Sequence, residues 1–184
     1  DRLARHPHVL SVSEDAQVMG AQVTTPQPSL QPTVGIVPYS GYAAGTPYED
    51  GYGVGVAIID SGIAPRGDLA NRIVAFRDFT VNTAGVAATP LDPYGHGTHV
   101  AGIVAGNGSA AGYTQAFQGV ANLTNLIGLR VLNSMGAGSV SSVVAAIQWA
   151  VANRVQYNIK VINLSLGHPI FEPAASDPMV QAVE

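Results

Sequence analysis

Val54-Gly55-Val56-Ala57-Ile58-Ile59-Asp60-Ser61-Gly62-Ile63 is the stretch that decides the fold. An unbroken run of small and apolar residues ends on an acid and a glycine. Runs of this length fit a strand buried on both faces, as strands of parallel sheets are. Upstream, residues 20–53 are rich in Pro, Gly, Thr, Gln and Tyr without a period, which reads as a linker or a wrapped surface segment. Residues 1–19 form a small amphipathic unit, with strand character over 9–12. Downstream, 72–76 is a second strand candidate leading into Asp78, and 80–95 is a polar loop. A helix is expected from His96 to about Ala105, stopped by Gly106-Asn107-Gly108. A third strand is expected over 126–132 and a fourth over 161–166, ended by Gly167. Between them, Val140, Val143, Val144, Ile147 and Val151 give helical spacing over 139–154. A last helix begins near Asp177. Strand, helix, strand, helix, strand implies an α/β fold: a mostly parallel central sheet with helices on both faces, a three-layer sandwich.

The composition fits a folded domain. Of the 184 residues 47% are hydrophobic and 11% charged, against about 25% charged in a typical soluble domain. The net charge is -4 with no basic run, which argues against nucleic acid as a partner. There is no cysteine, so disulfides, thiolate metal sites and a cysteine nucleophile are excluded. No apolar run reaches the roughly 20 residues of a membrane-spanning helix. The chain starts at Asp1 without a signal peptide and ends inside an expected helix; a piece of a longer protein is the expectation.

In open parallel sheets, sites form at the carboxyl ends of strands. Asp60 stands at such an end, although Asp-Ser-Gly also suits a turn or a cap. His96 opens a helix made of small residues, Gly95-His96-Gly97-Thr98-His99-Val100-Ala101-Gly102. Glycines there let backbones approach closely. The positive end of the helix dipole disfavours an imidazolium, as a resting general base requires. A buried carboxylate on one ring nitrogen would orient it, and Asp60 is the candidate. His99 reads as a structural histidine. A zinc protease helix carries two His at i and i+4 with a Glu beside the first. Here the two are three apart and Gly follows His96, so no metal site is expected.

Together, Val56 to Ile63, His96-Gly97-Thr98-His99-Val100-Ala101-Gly102 and Asn163-Leu164-Ser165-Leu166-Gly167 resemble, in order and spacing, three motifs of the subtilisin-like serine proteases, the subtilases. The resemblance covers residues 54–184, and the helix bearing Trp149 is similar too. It implies that Asp60 orients the ring and His96 is the general base and acid of an Asp-His-Ser triad. It implies that Ser165, Leu166 and Gly167 form one wall of a cleft where a peptide adds as a strand. Gly136, Ala137 and Gly138 resemble the opposite wall, and read equally well as a plain loop before a helix. The first 19 residues resemble the C-terminal end of a subtilase propeptide, which implies an intramolecular, product-like inhibitor cleaved somewhere after Val18. Residues 20–53 then hold the linker and the start of the mature enzyme, and 54–184 the N-terminal part of the catalytic domain. Polypeptide substrates and a secreted protein follow from the resemblance.

The chain departs from the family in three places. No Gly-Thr-Ser-Met-Ala-x-Pro motif occurs, so the nucleophile and the oxyanion-hole Asn are expected beyond residue 184 and these residues alone are expected to be inactive. Ser134-Met135-Gly136 lacks the flanking residues of that motif. Residues 107–118 hold no Asp or Glu, whereas hard cations take carboxylate oxygens; no cofactor is needed for the chemistry, and a structural calcium ion is unsupported by this segment. Two other readings compete with the endopeptidase: a subtilase-like binding domain without the Ser, and an unrelated α/β binding protein. The first turns on the residue at the Ser position, the second on whether Asp60 and His96 meet.

Overall fold

A computed structural model describes residues 15–20, 51–111 and 118–184. Strand β2 (Gly55–Asp60) is buried along its whole length. It pairs in parallel with β5 (Asn125–Arg130) on one side and β7 (Ile159–Leu164) on the other. Strand β3 (Ile73–Asp78) lies parallel outside β5, and the two-residue β4 (Val86–Ala87) closes that edge antiparallel. The sheet order is β4-β3-β5-β2-β7.

Alternation along β2 splits the core in two. Val56 and Ile58 face helix α1 (His96–Ala105) through Val100, Ala101 and Ala105, with Leu126 beside them. Ala57 and Ile59 face helix α2 (Val140–Ala152) through Val143, Ala146, Ile147 and Ala150, with Ile127 and Leu129. The helices therefore cover opposite faces, and the three layers expected from the residue pattern are present. Ser139 caps α2 by accepting from the Ser142 amide. A short third helix, α3 (Pro178–Val183), packs on α2 and starts at Asp177, whose carboxylate accepts from the Met179 and Val180 amides.

Three expectations shift. The loop over 80–95 contains β4, so the sheet is mixed at one edge. The fourth strand does not run through Leu166: it stops at Leu164, and Ser165 turns the chain so that β8 (Leu166–Gly167) joins a second sheet. Gly20 belongs to strand β1 (Gln17–Gly20), not to the linker. The strand character over 9–12 and most of the 20–53 segment lie outside the described residues.

Candidate active site

Asp60 is the last residue of β2, at the carboxyl end of an interior strand of the sheet, and is fully buried. His96 is the first residue of α1. Its Nδ1 lies 2.8 Å from Asp60 Oδ1 and 2.9 Å from Oδ2. The Ser61 amide donates to Asp60 Oδ1 at 2.6 Å. Burial pushes the Asp60 carboxyl above its ordinary value; the bonds from His96 and the Ser61 amide and the attraction of His96 pull the other way. A carboxylate on Nδ1 fixes the tautomer with a proton there and assigns proton transfer to Nε2.

Glycine makes this meeting possible. Gly95 caps α1 in the left-handed region at φ 93°. Gly97 packs its α-carbon on the turn after β2: a side-chain carbon there would collide with the Gly62 carbonyl and lie 3.0 Å from the Asp60 Cβ.

Two residues the motif reading passed over tie the two elements together. The Asp92 carboxylate accepts from Ser61 Oγ (2.8 Å), the Gly95 amide (2.8 Å), the Thr98 amide (2.8 Å) and Thr98 Oγ1 (2.6 Å). Ser61 Oγ in turn accepts from the Gly97 amide at 2.9 Å. Asp92 lies three residues before the N-cap position Gly95, outside the place where a capping residue is sought in a sequence, so no local signal pointed to it.

Five of the six residues expected to wall a cleft, Gly136, Ala137, Gly138, Leu166 and Gly167, lie against one strand. Strand β1 lies between β6 (Ala137–Ser139) and β8, antiparallel to both. Val18 is opposite Gly138, Met19 opposite Ala137 and Gly167, and Gly20 opposite Leu166. The Gly20 amide donates to the Gly136 carbonyl at 3.3 Å. Gly136 itself sits in a turn at φ 75°, with the Tyr94 ring against its α-carbon. Ser165 bridges β7 and β8, its hydroxyl 2.9 Å from Asn163 Oδ1. From Ala16 into β1, Ala16 and Val18 are buried while Gln17 and Met19 are exposed, the alternation of a strand laid in a groove. Asp15 accepts from the Ser141 amide (2.8 Å) and Ser141 Oγ (2.6 Å) at the start of α2.

His99 points outward on α1, and Ser134 is exposed in the turn before β6. Among the described residues no three His, Cys, Asp or Glu side chains cluster to hold a metal, and no helix is long and apolar enough to cross a membrane.

The sequence model of the Subtilase family matches residues 51–183. The serine protease AprX of Bacillus subtilis (strain 168) is 38% identical over 143 residues, covering 73% of this chain and 30% of that protein. Alkaline elastase YaB of Bacillus sp. (strain YaB) is 33% identical over 183 residues, covering all of this chain and 42% of that protein. Among solved structures, the S41 psychrophilic protease superposes with a TM-score of 0.62 at 34% identity, over 73% of this chain and 42% of its own. The chain spans less than half the length of each of these relatives.

Proposed function

The chain belongs to the subtilase family, and from that premise we propose that its protein is a serine endopeptidase whose base and orienting acid are His96 and Asp60. The observation that carries this is the buried Asp60 carboxylate bonded to His96 Nδ1 at the carboxyl end of β2. In that geometry Nε2 takes the proton of an attacking serine hydroxyl and later returns it to the leaving amine. Asp60 stays ionised and stabilises the imidazolium formed between those steps. The serine comes from outside the 184 residues, which contain no motif suited to it.

The groove between β6 and β8 is the peptide site. A substrate lies there as the middle strand of a three-stranded sheet, held by backbone bonds from both walls. The chain's own residues 15–20 occupy that position and act as a product-like inhibitor, with Asp15 fastened to the start of α2. Substrates are therefore polypeptides in extended form, and a protein with such a segment is secreted as a proenzyme.

The test is a fluorophosphonate probe and a peptide substrate on the full-length protein. Labelling that is lost in His96→Ala supports the reading. A full-length protein that folds and, after its N-terminal segment is removed by an added protease, neither labels nor cleaves is a binding domain instead. The 184-residue chain by itself is expected to give no turnover; hydrolysis by it, free of contaminating protease, contradicts the assignment of the nucleophile.

A further inference from the structure

Strand β8 is a weak wall. It is two residues long, it forms the edge of its sheet, and its strand partner is the occupant of the groove. On one side it is anchored through Ser165 to β7. On the other, the chain enters a proline-bearing loop that ends at Asp177. The first residue of that loop, His168, turns inward: its side chain is 8% exposed. Its Nε2 lies 3.2 Å from Asp177 Oδ2, and its Nδ1 lies 2.7 Å from the Pro169 carbonyl oxygen. Each ring nitrogen faces an acceptor oxygen. Phe171 stacks on the same ring, with 6.5 Å between centroids and planes 11° apart.

Asp177 is itself fixed. Its other oxygen, Oδ1, caps α3 by accepting from the Met179 amide at 2.8 Å. Helix α3 places Met179 and Ala182 against the core cluster that contains α2. A short path therefore runs from Gly167 through His168 and Asp177 into the packed interior.

We propose that His168 and Asp177 form a latch that holds the Leu166–Gly167 wall in register for an extended peptide, making both positioning residues of the groove. The proposal rests on the peptide-groove reading above. With the N-terminal strand gone, β8 loses its strand partner; the latch then keeps its backbone donors and acceptors aimed at the next strand. The bonds of both side chains run to each other, to Pro169 and to the start of α3, so the expected effect falls on binding rather than on the chemical step.

Two variants separate the latch from the cap. Asp177→Ser keeps a good N-cap but does not reach His168. His168→Phe keeps the aromatic stack and removes both ring nitrogens. In the 184-residue chain, hydrogen exchange at the Leu166 and Gly167 amides should quicken about tenfold in both variants, the size expected for one lost charge-assisted bond, with Ile162 and Asn163 in β7 unchanged. In the full-length enzyme, KM for a peptide long enough to reach the wall should rise about fivefold to tenfold, kcat should stay within about twofold, and a small ester should be cleaved as before. Unchanged exchange at Leu166 and Gly167 in both variants overturns the latch. So does equal acceleration throughout β7, which would make the pair a support of the whole fold. If wild-type full-length protein cleaves neither peptide nor ester, the endopeptidase reading has failed, and the exchange result still decides the latch.

Discussion

The α-carbon of Gly20 lies against the His96 ring: a side-chain carbon built on it would sit 3.3 Å from Nδ1 and 3.5 Å from Cγ. Both oxygens of Asp60 hold that ring at Nδ1. From Gln17 to Gly20 the backbone is a paired strand between the two walls. A bond cleaved by this histidine therefore lies past Gly20 and not inside β1, which sharpens the expectation of a cut somewhere after Val18. The mature full-length protein should begin beyond residue 20. Intact mass and N-terminal sequencing check this; a mature chain that starts at or before Gly20 contradicts the register.

The hold of the N-terminal segment should depend on Asp15. Its carboxylate supplies an acceptor to the first turn of α2, where amide groups lack partners within the helix. The carboxylate is exposed, so salt screens it. We expect Asp15→Ala to weaken inhibition by the separated N-terminal segment about threefold to tenfold, with the gap narrowing as salt is raised. Inhibition constants at low and high salt measure this; equal constants for both forms would sink the idea.

Two buried carboxyls should pull stability in opposite directions with pH. Burial raises Asp60 above its ordinary value, so the stability linked to its protonated form is present below that value and is lost as pH rises through the raised one. Asp60→Asn removes that loss. It should melt higher than wild type at neutral pH, and the gap should close on acidification. Turnover by the full-length enzyme should fall by about four orders of magnitude, the size known for this change in serine protease triads. At Asp78, burial pushes the carboxyl up, but the Thr80 hydroxyl and amide and Arg130 together outweigh it, so the net shift is down. Its stability is present above the ordinary value and is lost as pH falls through the lowered one. Asp78→Asn should cost about 3 kcal/mol at neutral pH, because it leaves the Arg130 guanidinium buried without its carboxylate, and the cost should vanish in acid. Thermal melts of the two variants from acid to neutral pH decide both signs.

Much of this was legible from residues alone, for a physical reason. The apolar run into Asp60 and the small-residue helix after His96 encode burial and close approach locally, so the two elements and their meeting point could be read without a structure. The split of β2 between two helices also follows from its alternation. What escaped was whatever depends on contacts far apart in sequence. Ser165 reads as one more strand residue, and only the turn there sends Leu166 into a second sheet. Gly20 reads as linker because glycine carries no strand signal, yet its α-carbon packs so closely on His96 that a side-chain carbon would sit 3.3 Å from Nδ1. Asp92 has four bonds to three residues, and its bond to Ser61 spans 31 positions.

Helix α1 contains its own controlled experiment. Gly97 and Gly102 lie on the same helix, five positions apart. A methyl group at Gly97 meets the backbone of Gly62 and the Cβ of Asp60, neither of which is a flexible side-chain end. A methyl group at Gly102 meets nothing within 4 Å. Helix propensity alone favours alanine over glycine at both by about 0.5–1 kcal/mol. Gly102→Ala should therefore stabilise the chain by about that amount and leave the His96–Asp60 bond intact. Gly97→Ala should destabilise it by about 1–3 kcal/mol through overpacking and push the start of α1 away from β2. The low-field proton resonance of His96 Nδ1 reports that displacement: retained in Gly102→Ala, shifted or lost in Gly97→Ala. If Gly97→Ala is as stable as Gly102→Ala and keeps the resonance, close packing of this helix start is not what sets the geometry of the pair.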